Sequence, residues 1–219
     1  MDRQIRVLLA DDHACFRESI GEMLRREPDI AVVGMACDAT SAVIKAEQTQ
    51  PDIILMDIQM PGLFSFEAVR QIASVAPAIS VIFLSAFPND TYISMAIDVR
   101  AKGYVVKKEG CEQIILALRE VASGGAYFSK EISDRIIVGP RGVRLAKEKT
   151  SRLAKLSRRL IEMLVYIAKG YGKKQIAAIT GRSIKTIDHH VGRLMKQLDI
   201  HDRVGLTKFA IREGLAEPE

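Results

Sequence analysis

Three carboxylates stand at the ends of apolar runs. Val7-Leu8-Leu9-Ala10 leads into Asp11-Asp12, and Ile53-Ile54-Leu55-Met56 leads into Asp57. Short apolar runs bounded by turn signals read as buried strands. The second run stops at Met60-Pro61-Gly62, where proline denies the ladder a donor and glycine permits a turn. A carboxylate at such a strand end is costly to desolvate unless a cation or hydrogen bonds meet it. Three of them from two strand ends repel one another and raise their own pKa values unless a hard cation sits among them. Mg²⁺ suits the arrangement, because it takes one or two carboxylates, keeps several waters and leaves room for phosphate oxygens. Helix capping accounts for Asp11 or Asp12, but not for Asp57.

The elements that must position these groups alternate in type. Strand-like runs occur at Ile5 to Ala10, Ile30 to Met35, Ile53 to Met56, Val81 to Leu84 and Tyr104 to Val106. Helical patterns lie between them. Phe16, Ile20, Met23 and Leu24 recur at i, i+4, i+7 and i+8 as one apolar stripe, and further helices fit 39–48, 67–75, 90–101 and 112–123. Five such units predict a parallel sheet covered on both faces, since right-handed crossovers leave few other topologies. In open sheets of this kind ligands bind at the carboxyl rim, where the aspartates fall.

The chain has 219 residues, room for two ordinary domains, and 48% hydrophobic content supports real cores. No apolar run approaches the length of a membrane span and no signal peptide is visible, so a soluble, cytoplasmic protein is expected. Cys15, Cys37 and Cys111 are odd in number and widely spaced, and read as reduced packing residues. Charge divides the chain: residues 1–126 carry 12 Lys and Arg against 17 Asp and Glu, residues 127–219 carry 20 against 10. An acidic half joined to a basic half suggests a regulatory or catalytic module tethered to a polyanion binder.

Asp11-Asp12, Asp57 within Leu-Met-Asp-Ile-Gln-Met-Pro-Gly, Ser85 closing Val-Ile-Phe-Leu-Ser, and Lys107 in Gly-Tyr-Val-Val-Lys together resemble the receiver domain of bacterial two-component response regulators. The resemblance covers nearly all of 1–126 and implies a flavodoxin-like (CheY-like), doubly wound α/β fold of strand order 2-1-3-4-5. It further implies that Asp57 is the phosphoacceptor, taking a phosphoryl group from a sensor histidine kinase or a small phosphodonor. Asp12, Asp57 and the main-chain carbonyl of Gln59 would hold Mg²⁺, with Asp11 acting mostly through water. Lys107 would pair with Asp57 and then with the phosphate, while Ser85 and Tyr104 would form the switch. Where the family usually shows Asp-Gly after the Met-Pro-Gly turn, this chain has Phe64-Ser65. Phe64 and Phe66 near the rim are candidates for an exposed docking patch.

From about 127 to 152 the chain reads as a linker, broken at Gly139-Pro140-Arg141-Gly142 and charged at Lys147-Glu148-Lys149. The segment 153–219 is helical throughout. One stripe is carried by Leu160, Ile161, Leu164 and Ile167, a short helix starts at Lys173, and Ser183 is placed to cap a helix running to Leu198. On that last helix Ile187, Val191, Leu194 and Leu198 form the buried side; Lys185, His189, Gly192 and Lys196 lie opposite, flanked by Thr186 and Arg193. A basic, slender face of this kind suits a major groove.

Leu156-Ser157, Arg159, Glu162, Leu164, Ala168, Gly170, Ile176-Ala177, Ser183, Lys185-Thr186-Ile187, His190, Leu198 and Arg203 sit at the spacing of the LuxR-type helix-turn-helix of NarL/FixJ regulators. The resemblance implies an all-α DNA-binding domain whose recognition helix is 183–198, with Lys173, Lys174, Ser183, Lys185, Thr186, His189, Arg193 and Lys196 at the DNA and the helix after Arg203 used between copies. Leu160, Gly172, Thr180 and Arg182 depart from the pattern and predict looser packing around the turn. The expected protein is a response regulator, not an enzyme with dedicated turnover, that binds promoter DNA as a homodimer and meets no membrane. Two alternatives stand beside it: a regulator whose degenerate turn acts through protein contacts, and a small-molecule phosphatase using the acidic site.

Overall fold

The computed structural model describes residues 3–86, 88–139, 142–146 and 152–216. The chain divides into two compact units, Met1–Ala146 and Lys147–Glu219.

In the first unit β1 (Ile5–Ala10), β2 (Ile30–Ala36), β3 (Ile53–Asp57), β4 (Ser80–Ser85) and β5 (Gly103–Val106) alternate with α1 (Ala14–Arg25), α2 (Ala39–Thr49), α3 (Ser65–Val75), α4 (Asp90–Asp98) and α5 (Cys111–Ala122). All pairs of the main sheet are parallel, in the order β2-β1-β3-β4-β5, extended by β6 (Tyr127–Phe128) beside β5. The central strand β3 is buried at every position, which explains its unbroken apolar run: a strand covered on both faces has no polar side to alternate. Val7, Leu9, Ile53, Leu55, Ile82, Leu84 and Val105 meet Ile20, Leu24, Ile114, Ala117 and Leu118 from the helices in one core. Each Val, Leu or Ile among them, fully buried, contributes about 1.5–3 kcal/mol. Side chains start several helices: Asp38 accepts from Ser41 N at 2.8 Å, and Asn89 from Thr91 N at 2.9 Å.

Secondary structure continues past residue 126, where a linker was expected. Beyond β6 come a helical turn, α6 (Lys130–Ser133), and an antiparallel hairpin of β7 (Ile136–Gly139) with β8 (Gly142–Leu145). Tyr127 N donates to Lys102 O at 2.9 Å and Ser129 N to Tyr104 O at 2.9 Å, so the chain pairs with β5 before it leaves the sheet. Arg135 then reaches Asp90 at 2.9 Å and Glu131 at 3.2 Å, and β8 packs on α4. The cause is local: Ile136-Ile137-Val138 and Val143 are β-formers on both sides of a glycine pair, which is hairpin chemistry. Lys147-Glu148-Lys149 falls outside the described residues.

The second unit holds α7 (Arg158–Ala168), α8 (Lys173–Thr180), α9 (Ile184–Leu198) and α10 (Arg203–Arg212). Ile187, Val191, Leu194 and Leu198 of α9 are buried as their spacing predicts; α7, whose Leu160, Ile161, Leu164 and Ile167 are buried too, packs on both α9 and α10, where Leu206 and Phe209 are buried. The departures around the turn are accommodated individually. Gly172 has no side chain to cap α8, but its N–H donates to Gln175 Oε1 at 2.7 Å. Thr180 Oγ1 donates to Ile176 O at 2.7 Å, while Arg182 leaves its Nε buried without a partner.

Candidate functional site

Asp11 follows β1, Asp57 closes β3, Ser85 closes β4 and Lys107 follows β5, so four strand ends deliver four polar groups to one rim. Asp11 and Asp57 are each only 3% exposed. Lys107 Nζ lies 2.7 Å from Asp11 Oδ2 and 3.3 Å from Asp57 Oδ2. The ammonium therefore leans to Asp11 rather than resting squarely on Asp57, and it also stands 4.6 Å above the Phe16 ring. Burial pushes the Asp57 carboxyl up to about 6; Lys107 opposes that rise, and the charges of Asp11 and Asp12 add to it.

Ligand atoms of Asp11, Asp12, His13 and Asp57 lie within 4.8 Å of one another. Asp12 Oδ1 is shielded from solvent and accepts no well-formed hydrogen bond, although His13 Nδ1 stands 3.1 Å away. An orphaned carboxylate oxygen beside two buried carboxylates is a donor set for a hard cation. His13 was not singled out from sequence; its place directly after the acid pair was the available signal.

Ser85 is buried and Tyr104 is fully buried. The Tyr104 hydroxyl is directed to Ser85 and to the backbone at Asn89 without a fully formed hydrogen bond, and burial raises its pKa well above the usual tyrosine range. Gln59 sits two residues beyond Asp57, and its side chain meets the hydroxyl of Tyr92 from α4.

Phe64 and Phe66 do not form an exposed patch: they are 4% and 0% exposed. Phe66 packs on Phe64, Phe83 and Tyr92 with ring centroids 5.2, 4.6 and 5.7 Å apart. The reason is helical spacing, since Phe66, Val69 and Ile72 are all buried on one face of α3. Cys15, Cys37 and Cys111 are likewise exposed rather than packed.

In the second unit the Ser183 hydroxyl accepts from Thr186 N at 3.1 Å and starts α9. Lys174, Lys185, His189, Arg193 and Lys196 are exposed. Lys173 is exposed too, but it is ion-paired with Asp188 of α9. Glu162, 3% exposed, is paired with Arg159 at 2.5 Å and lies beneath this surface. Burial and the surrounding cations Arg182, Arg159, His189 and Arg193 hold His190 below the usual histidine range. Between Lys173 and Leu198 six Lys and Arg stand against one acid, Asp188, so this stretch is strongly basic.

Residues 7–119 match the family model of the response regulator receiver domain, and residues 154–210 that of the bacterial regulatory proteins of the luxR family. The response regulator protein VraR of Staphylococcus aureus is 32% identical over 213 residues, 97% of this chain and 99% of that protein. A LuxR-family two-component response regulator from Aurantimonas sp. SI85-9A1 is similar in structure, with a TM-score of 0.58 at 30% identity over 60% of this chain and 94% of that one. RcsB of Salmonella typhimurium superposes with a TM-score of 0.73 over 94% of this chain and 96% of its own, at 23% identity, a likeness of fold. These matches, with an acidic rim at one end of the chain and a basic helix-turn-helix at the other, identify the protein as a LuxR-type two-component response regulator, a receiver joined to a DNA-binding domain that regulates transcription.

Proposed function

We propose that Asp57 accepts a phosphoryl group from a sensor histidine kinase or a small phosphodonor, and that this modification governs promoter binding through α8 and α9. The observation that carries this reading is the convergence of Lys107 on Asp11 and Asp57 at the carboxyl rim. Asp57 attacks phosphorus as the bond from phosphorus to the donor breaks; with its carboxyl near 6 it is mostly ionised at neutral pH. Lys107 then exchanges part of its attraction to Asp11 for the phosphoryl oxygens. The Ser85 hydroxyl donates to the same group, and Tyr104, directed to Ser85, responds to its movement.

Asp11, Asp12, Asp57 and the main-chain carbonyl of Gln59 fit Mg²⁺, as the unanswered oxygen of Asp12 supports. When bound, the ion offsets charge on the transferring oxygens. Phosphorylation adds about two negative charges to a rim already crowded with carboxylates, enough to bias a two-state surface by a few kcal/mol. We expect no dedicated turnover beyond loss of the phosphoryl group to water.

On DNA, Lys173, Lys174, Ser183, Lys185, Thr186, His189, Arg193 and Lys196 would face the duplex, with α9 in the major groove. Val204, 63% exposed on α10, supports use of that helix between two copies. Among the described residues no helix is long and apolar enough to cross a membrane, and we place the protein in the cytoplasm with its kinase and its promoter. The test treats the full chain and Asp57→Ala with acetyl phosphate and Mg²⁺ and measures both phosphate incorporation and binding to genomic fragments. Incorporation and tighter binding in the wild type alone are expected; a labile phosphate on Asp57→Ala sinks the assignment.

A further inference from the structure

The reading face of α9 carries one residue that does not suit a polyanion. Its exposed positions over the first turns are Ile184, Lys185, Asp188, His189 and Gly192. Asp188 is the one acid in α9, and its side chain is half exposed. A carboxylate there repels phosphates, so it weakens non-specific attraction. Lys173, the first residue of α8, pairs with it and neutralises it. Stability does not explain the pair, because both partners are roughly half exposed and exposed ion pairs contribute little.

Asp188 lies in one row with Ile184 and Gly192, four residues to either side. Gly192 has no steric reason within the protein: a Cβ built there meets nothing within 4 Å. Glycine is a poor helix former, and in a helix interior with open space around it the usual gain is close approach of another molecule's surface. The row therefore offers a dent beside a neutralised carboxylate, with Gly192 on the face assigned above to DNA and Asp188 at the edge of that face nearest Lys173.

We infer that Asp188 is a specificity-determining residue that selects cytosine in the major groove, accepting a hydrogen bond from the cytosine N4 amino group while Lys173 holds the carboxylate and Gly192 lets the groove wall approach. The chemistry disfavours the other bases. A carboxylate only accepts, guanine shows it two acceptors, thymine an acceptor and a methyl, and adenine places the N7 acceptor beside its amino group. Lys185 on the neighbouring row carries only donors, so it does not duplicate this role.

This inference rests on the DNA-binding role given above, and the experiment separates the two. The full chain, treated with acetyl phosphate and Mg²⁺, is used to enrich a random-sequence duplex library in parallel with Asp188→Ala and Asp188→Asn. The wild type is expected to prefer cytosine at one position of each half-site by about tenfold. That preference flattens in Asp188→Ala and moves to adenine in the near-isosteric Asp188→Asn, whose amide donates as well as accepts, while the salt slope of binding stays steep in all three. Identical motifs from all three proteins would reduce Asp188 to an interhelical ion pair and overturn the inference. Enrichment by none of them, wild type included, would remove the DNA-binding premise and the inference with it.

Discussion

Lys107 is closer to Asp11 than to Asp57, at 2.7 against 3.3 Å, so the carboxylate assigned to chemistry is the less neutralised of the two. Its carboxyl, ordinarily at 3.8, is pushed up to about 6, first by burial. An acid whose folded pKa exceeds its unfolded one favours folding in its protonated form. That contribution is fully present below about pH 4 and is lost as pH rises through about 6, leaving a cost on the order of 3 kcal/mol above that range. In chelator, Asp57→Asn should therefore be more stable than the wild type by roughly 1–3 kcal/mol at about pH 8, with the gap closing toward pH 4. Urea titrations across pH measure it. A variant less stable than the wild type at alkaline pH would mean that the lysine outweighs burial.

Adding Mg²⁺ should invert that order. An ion held by the proposed carboxylates would bind the folded wild type and not its unfolded chain, so the melting temperature is expected to rise with Mg²⁺ concentration. Asp57→Asn, lacking one anionic ligand, should respond much less. Equal shifts for both proteins would place the ion elsewhere.

Phe64 stands at the edge of an aromatic cluster, packed on Phe66, which in turn meets Phe83 and Tyr92. Phe64→Ala should cost about 2–4 kcal/mol of stability by leaving a cavity. A near-neutral result in thermal unfolding would show that the loop carries the ring outside the core.

Arg135 joins the segment after β6 to the start of α4 through Asp90 and, at 3.5 Å, through the carbonyl of Pro88. Because these groups are partly exposed, Arg135→Ala should cost no more than about 1 kcal/mol globally. Local opening is the sharper readout: amide exchange across 136–145 should quicken while the exchange of β3 stays unchanged. Uniform exchange in both proteins would show that the hairpin is held by packing alone.

The parts of this molecule legible from its sequence are those where one physical demand dominates. Ile53 to Met56 cannot alternate because both faces of β3 are covered, and an aspartate directly after such a run has few innocent explanations. Ser183 and the stripe from Ile187 to Leu198 were equally plain, since capping and a 3.6-residue period act within a few residues. What stayed hidden is overridden by a stronger local signal or depends on distant partners. The pairing of β7 with β8 is hidden because Gly139-Pro140 in the sequence is a strong stop signal, although the residues on either side of it are β-formers. Phe66 lies close in sequence to the rim, but its helical spacing to Val69 and Ile72 turns it inward. That Lys107 leans to Asp11 has no local signal, as it follows from the stagger of two strand ends.

Ser129 bears on where the phosphorylation module can be cut. It is wholly buried; its hydroxyl accepts from Val106 N at 3.0 Å and its own N–H donates to Tyr104 O at 2.9 Å. A fragment ending at Ala126, the natural place to stop by likeness alone, strips both partners from the strand that carries Tyr104 and precedes Lys107. Phosphate lifetimes measured on such a fragment would describe a loosened lysine, whereas a fragment kept through Ala146 retains the backbone that aims it.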